Sequence, residues 1–324
     1  MTGAAPIATV TRNVATGPVV ESVHVGHVVL VAPDGEVRAV GDADVVVFPR
    51  SSVKPLQATA CLELLDPALA ADLGDDEVAV AWASHRGEDR HVAAVRRLLA
   101  RSGTPPEALT CPPGWPEAAT VWPPVRPLDA PSRLRFNCSG KHAMFALAGR
   151  TLGVSGPALL DPDGPLQRHL LAHLDEALGG VQGVAVDGCG APAVLAPLAG
   201  LARAHAAVAG TDRYERVRRA GLAHPALVSG SGRLATALLR HGIVAKGGAE
   251  GVFGAGWTDA DGGAWGVGVK AEDGAVRGAD AATIGLLESL GVLPVGACRP
   301  EPVLGGGVPV GVVSASPAVL GLAG

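Results

Sequence analysis

Lysine is scarce in this sequence: of 26 lysine and arginine residues only Lys54, Lys141, Lys246 and Lys270 are lysines. A surface cation can be either residue, but a group that must shed its proton to act as a base or ligand has to be lysine, because guanidinium stays charged. Any lysine in polar company is therefore a candidate functional group. Charge of one sign is also lacking. The formal net charge is −5 and no run of five or six like charges occurs, which argues against a phosphate-backbone footprint and against a polybasic membrane patch. There is no uninterrupted apolar stretch of about 18 residues, and the N-terminal segment holds no compact apolar core followed by a small-residue cleavage site. A soluble, cytoplasmic protein is expected. The five cysteines, Cys61, Cys111, Cys138, Cys189 and Cys298, are an odd number scattered over a long chain, which argues against a disulfide framework. A cysteine with a purpose is then a ligand or a reactive thiol.

What is present is apolar and tightly turned. Hydrophobic residues make up 48% of the 324 and charged residues 18%, enough to bury a full core. The 45 glycines and 26 prolines imply abundant, sharply turned loops. Residues from about 18 to 48 run or alternate apolar around Ala32-Pro33-Asp34-Gly35, which reads as two strands followed by a third through Val45–Phe48. Ser51 or Ser52 then reads as a helix N-cap, with Pro55 in the first turn and the helix running to about Leu65. Further helices are predicted at about 88–102, 138–152, 164–178, 191–207, 213–222 and 232–241. Beyond Lys246, Gly-rich stretches around Phe253–Trp257 and Trp265–Lys270 read as strands joined at Asp259–Gly263, and a last helix follows at about 279–290. The fold class expected is α/β: an antiparallel sheet built from N- and C-terminal strands, with flanking helices and a helical region. One domain is expected over 1–324, its sheet from about 1–65 and 243–324 and its mostly helical middle over about 66–242.

Three of the lysines stand in motif-like settings. Ser51-Ser52-Val53-Lys54 is an S-x-x-K arrangement at the mouth of a helix, where residues three apart share a face and a hydroxyl can meet an amine. Desolvation beside other cations lowers a lysine pKa, so this pairing reads as a nucleophile beside its base. The alternative is an N-cap serine with a solvated lysine. Ser84-His85-Arg86-Gly87-Glu88 follows the apolar run Val78–Ala83, and places a hydroxyl, an imidazole and a carboxylate at the end of a buried element. It also reads as a capping box for the next helix. Lys270 closes the apolar run from Ala264 and offers a second amine. A serine, an S-x-x-K and a late-strand lysine together have the layout of serine acyl-transfer enzymes, without the literal S-D-N and K-T-G sequences. Cys138-Ser139-Gly140-Lys141-His142 and Asp187-Gly188-Cys189-Gly190-Ala191-Pro192 are two polar, glycine-tight turns. Their thiols, amine, imidazole and carboxylate suit zinc, whose usual ligands are soft sulfur and nitrogen donors. Cysteine nucleophile chemistry and two buried structural cysteines remain open on the residues alone.

Taken in order, Arg50-Ser51-x-x-Lys54-Pro55, Ser84-His85-x-Gly87-Glu88, Asn137-Cys138-Ser139-Gly140-Lys141-His142, Asp187-Gly188-Cys189-Gly190-x-Pro192 and the later Lys270-x-Glu272-Asp273-Gly274 resemble the asparaginase II family of rhizobial-type L-asparaginases over nearly the whole chain. The resemblance implies a fold similar to serine β-lactamases and glutaminases, a homodimer, and hydrolysis of L-asparagine to aspartate and ammonia. It implies Ser51 as nucleophile with Lys54 as its base, and Ser84 with Lys270 as a second serine–lysine pair. It implies zinc on Cys138, Lys141 and Cys189, tuning substrate affinity without generating a nucleophile, and it implies Arg50, His142 and Asp187 along the substrate. The proline-rich stretch from Cys111 to Pro131 carries no matched motif. Two rivals stand beside this reading. One is a related serine amidohydrolase acting on glutamine, a β-lactam or a peptide. The other is a non-catalytic zinc or amino-acid binding protein, disfavoured because a binder has no need of deprotonatable lysines.

Overall fold

The structure is a computed structural model that describes residues 3–117 and 130–324. The chain forms two compact units. The first holds Met1–Ser52, Ala196–Gly210 and Ala245–Gly324; the second holds Val53–Leu195 and Thr211–Val244.

The first unit is a sheet assembled from both ends of the chain, as the pattern of strands implies. Its strands are β1 (Ala5–Val14), β2 (Gly17–Val31), β3 (Val37–Val40), β7 (Val244–Gly248), β8 (Val252–Thr258), β9 (Ala264–Ala271), β10 (Val303–Gly305) and β11 (Val308–Ala315). They run in the order β10-β11-β1-β2-β9-β8-β7, with β3 added on β2. The β1–β11 register sets Ala8 opposite Ala315 and Arg12 opposite Gly311, both antiparallel. Neither β1 nor the β10–β11 hairpin is predicted above. β10 has three residues and β11 eight, and both are exposed or half-exposed at nearly every position around Gly305-Gly306-Gly307, where φ reaches 60° and 83° at the last two glycines, so hydrophobic patterning hardly marks them.

Helix α7 (Leu198–Gly210) lies on β8 and β9 at backbone distance. The strand glycines alternate, and a side chain alternates faces with period 2, so Gly254, Gly256, Gly266 and Gly268 all turn toward this helix. A Cβ on Gly266 would stand 2.0 Å from the Ala202 carbonyl oxygen, and one on Gly256 2.1 Å from that of His205. Glycine here is a packing requirement of the sheet. The helix expected at about 191–207 is corrected accordingly: its first third is strand β6 (Pro192–Pro197), whose last two residues pair with β4 (Val46–Val47). Pro197 drives the residue before it out of the α region, so the helix begins only after that proline. Residues 196–210 consequently belong to the sheet unit and not to the helical middle. Helix α11 (Val276–Ser289) packs on β1, β9 and β11, meeting β1 and β11 through the buried set Ala8, Val10, Ala281 and Val313.

The second unit is helical, with one hairpin. It comprises α1 (Lys54–Glu63), α2 (Pro67–Asp72), α3 (Asp75–Ala81), α4 (Asp89–Ser102), α5 (Ser139–Thr151), α6 (Pro165–Leu178), α8 (Glu215–Ala223), α9 (Pro225–Ser229) and α10 (Leu234–Arg240), with β5 (Gly183–Val186) paired to the first part of β6. Helix α1 belongs here and not with the N-terminal sheet. It begins at Lys54 behind a 3-10 turn over Arg50–Val53, and its N-cap is Val53, so neither Ser51 nor Ser52 caps it. Every residue of α5 from Ser139 to Gly149 is buried, and the helix contacts α1, α3, α4 and α6. Among the described residues no single helix is long and apolar enough to cross a membrane.

Gly140 sets how closely α5 approaches α3. A Cβ there would lie 1.9 Å from the Val80 carbonyl oxygen and 2.7 Å from its carbon, both backbone atoms. Alanine improves helix propensity by about 1 kcal/mol, but the overpacking costs about 1–3 kcal/mol or more. Gly140→Ala is therefore expected to lower the urea midpoint; a midpoint unchanged or raised would show that the two helices can part without loss.

Candidate active site

Lys54, Ser84, Cys138, Lys141, Cys189 and Asp187, all singled out by motif, come together inside the helical unit. Lys54 opens α1 and is 1% exposed. Its ammonium donates to the Ala83 carbonyl oxygen at 2.6 Å, to Ser84 Oγ at 3.0 Å and to Cys138 Sγ at 3.1 Å. These three acceptors exhaust its three protons. Ser84 lies in the extended segment after α3, where its N–H donates to the Val228 carbonyl oxygen at 2.8 Å. It is not spent as the cap of α4. Glu88 holds that place, and its N–H donates to His91 Nδ1 at 3.1 Å. His85, beside Ser84, ties this segment to α5. Ser139 Oγ donates to the Leu134 carbonyl oxygen at 2.9 Å, so His85 Nε2 is the donor in its 2.9 Å bond to Ser139 Oγ.

Cys138 stands at the N-cap of α5, and Lys141 one turn in. Lys141 Nζ donates to Cys189 Sγ at 3.2 Å, and Cys189 Sγ lies 3.5 Å from Asp187 Oδ2. Asp187 and Cys189 sit on the tight turn between β5 and β6, closed by Asp187 N–H on the Ala191 carbonyl at 2.9 Å and by Gly190 at φ 85°. The hydrogen bond from Cys189 lowers the Cys138 pKa far below a free thiol; burial opposes this, and the Lys54 and Lys141 charges reinforce it. Donating that bond, together with burial, drives Cys189 the other way. Burial works against the Lys141 cation, yet the two neighbouring sulfurs outweigh it and raise its pKa. His142 is held neutral by burial and by repulsion from Lys141 and Lys54. Its Nδ1 is 2.6 Å from Thr110 Oγ1, while its buried Nε2 has no hydrogen-bond partner among the described residues. Thr110 carried no motif, so only the packing reveals it.

The donor chemistry fits the metal that the resemblance implies. Two sulfurs and an amine meet in one buried place, a soft set suited to zinc, provided Lys141 gives up its proton. Among the described residues no three histidine, cysteine, aspartate or glutamate side chains are grouped to hold a metal. All five cysteines are free of disulfides. Burial pushes the Cys111 thiol up to about 12 and Cys61 higher still, which leaves both inert.

Arg50, Ser51 and Lys270 lie in the sheet unit. Arg50 takes φ 53°, one of two non-glycine residues with positive φ among those described. Ser51 is partly exposed in the same 3-10 turn. Ser52 is 1% exposed, and its hydroxyl donates to the Lys246 carbonyl oxygen at 3.0 Å. Lys270, near the end of β9, donates to the carbonyl oxygens of Glu250 and Ala271, each at 2.7 Å. Burial lowers its pKa against the opposing pull of Glu272, Glu250 and Asp273.

A family model described as L-asparaginase II matches residues 10–315 of the chain. No curated protein sequence matches it. Among solved structures, Mglu in its native form is 19% identical with a TM-score of 0.37, over 81% of this chain and 63% of that one. A probable glutaminase from Bacillus subtilis, complexed with 6-diazo-5-oxo-L-norleucine, is 14% identical with a TM-score of 0.39, over 81% of this chain and 83% of that one. The chain thus spans somewhat less than two thirds of Mglu.

Proposed function

The chain belongs to the L-asparaginase II family, and from that premise we propose that it is an amidohydrolase that releases ammonia from L-asparagine through a serine acyl-enzyme. The observation that carries this reading is the buried Lys54 amine on Ser84 Oγ at 3.0 Å, with Cys138 Sγ at 3.1 Å. A lysine removed from water and bonded to a hydroxyl is equipped to move protons. With Lys54 in its neutral form, the Ser51 hydroxyl attacks the side-chain amide carbon and its proton passes to the lone pair of the Lys54 amine. Backbone N–H groups near Ser51 stabilise the oxyanion, a contribution of about 3–4 kcal/mol for one good donor. Ser84, already bonded to Lys54, is in line to hand a proton to the leaving nitrogen, so that the C–N bond breaks and ammonia departs. Water then cleaves the acyl ester to aspartate. Lys270 enters the proposal as a second amine on the strength of the family resemblance, its pKa lowered by burial. Arg50 suits the substrate α-carboxylate, Asp187 the α-ammonium, and the unsatisfied His142 Nε2 a further polar atom.

Zinc, held by Cys138, Lys141 and Cys189, supplies when bound a fixed positive charge that raises affinity for the substrate. A homodimer in the cytoplasm, acting on a free amino acid, completes the proposal. Side-by-side ammonia assays test it: release from L-asparagine well above that from L-glutamine is expected. Preference for glutamine would transfer the protein to a related amidohydrolase, and no release from either would make it a binding protein. Metal analysis of the purified protein is expected to find about one zinc per chain, lost in Cys189→Ala because one of three donors is gone. A zinc-free protein with full asparagine affinity would remove the metal from the scheme.

A further inference from the structure

We propose that His205 is a positioning residue for this reaction: as the Nε2–H tautomer it grips the Ser52 carbonyl and so fixes the turn that presents Ser51. The assignment rests on Ser51 being the nucleophile. His205 sits on α7, 2% exposed. Its ring occupies a slot that only glycine leaves open, since a Cβ on Gly254 would stand 2.2 Å from His205 Nε2 and 2.3 Å from Cδ2. From that slot Nε2 reaches the Ser52 carbonyl oxygen at 3.1 Å. A carbonyl only accepts, so the ring proton is on Nε2. The buried Nδ1 is then a bare lone pair with no hydrogen-bond partner among the described residues.

The neutral form is enforced. Burial draws the His205 pKa down to about 4, the Ser52 carbonyl pulls the other way, and the Lys246 charge on β7 adds repulsion. An imidazolium here would bury an Nδ1–H with nothing to receive it.

All three polar groups of Ser52 are consequently tied. Its N–H donates to the Pro49 carbonyl at 3.0 Å, its hydroxyl to the Lys246 carbonyl at 3.0 Å, and its carbonyl receives His205 at 3.1 Å. On the other side of Ser51 stands Arg50 in the left-handed region at φ 53°. Such a conformation is costly for a side-chain-bearing residue, by about 1–3 kcal/mol, and survives only where surrounding bonds over-determine it. The ties on Ser52 do so, and His205 is the tie that comes from outside the turn and the neighbouring strand. It touches no substrate; its effect passes through Ser51, whose hydroxyl a displacement of about 1 Å would misalign by roughly a hundredfold in rate.

His205→Phe keeps a flat ring in the glycine slot and removes the donor, whereas His205→Gln keeps an N–H of similar reach. With a diazoketone analogue of asparagine, which alkylates an active serine, Ser51 labelling is expected to slow at least about tenfold in the Phe variant. The KM for asparagine should stay within about twofold, and the Gln variant should regain most of the rate. Melting curves of both variants check that they fold. Wild-type labelling rates in the Phe variant, or equal losses in Phe and Gln, overturn the role of His205 alone. Absence of Ser51 from the labelled peptide of the wild-type protein overturns the nucleophile and, with it, this assignment. Should the Phe variant not fold, 15N-histidine NMR of the wild-type protein decides: the resonance lost in His205→Gln is expected as a neutral Nε2–H ring at pH 7, and an Nδ1–H tautomer or an imidazolium refutes the clamp.

Discussion

Ser51→Ala is expected to abolish ammonia release from L-asparagine, by about 10³–10⁶-fold in kcat, with binding of asparagine still measurable by calorimetry. Loss of a nucleophile removes the covalent route and leaves only what oriented binding and oxyanion stabilisation can do, which accounts for that range. The neighbouring serine supplies the contrast. The Ser52 hydroxyl is already donated to the Lys246 carbonyl and is buried, so Ser52→Ala disturbs the turn without removing a reacting atom, and its loss should be far smaller. If Ser51→Ala retains turnover while Ser52→Ala does not, the roles of the two are reversed.

Lys54→Arg is expected to be nearly as damaging, at least about 10³-fold in kcat, although it preserves the charge. Two effects act together. A guanidinium cannot surrender a proton near neutral pH, so the base is lost. The site also has no room: Lys54 is 1% exposed, and its three acceptors, Ala83 O, Ser84 Oγ and Cys138 Sγ, surround a compact ammonium at 2.6–3.1 Å. A planar fork cannot satisfy that arrangement. Chemical rescue separates proton transfer from packing. Lys54→Ala should regain part of its rate with added small primary amines, increasingly as pH rises toward their pKa, and none with guanidine. Full activity of the arginine variant, or rescue by guanidine and amines alike, would take Lys54 out of proton transfer.

The helical elements were largely legible because their apolar periodicity is local. The expected helices at about 88–102, 138–152 and 164–178 agree closely with Asp89–Ser102, Ser139–Thr151 and Pro165–Leu178. The segment 191–207 was not, because an apolar run closed by Pro197 reads equally as buried helix or strand, and its pairing with Val46–Val47 lies far off in sequence. The same limit applies to the site. Lysine scarcity and the glycine-tight turns identify Lys54, Lys141, Cys138 and Cys189 one at a time. Nothing local reveals that Lys54 meets Ser84 and Cys138, or that His142 leans on Thr110.

Residue chemistry and its order along the chain were thus decided by the sequence alone: which cations can lose a proton, which strands alternate glycine with valine, and that strands from both ends enclose helices. The tertiary structure alone decided which hydroxyl each amine touches, which of two adjacent serines has its hydroxyl committed, and that His205 reaches the Ser52 carbonyl. The physical reason is one of range. Periodicity and propensity act over a few residues, whereas a hydrogen bond between distant segments depends on how closely helices and strands approach. That approach is set by close contacts such as Gly140 on the Val80 backbone and Gly254 beneath the His205 ring, where one added methyl group would force the elements apart.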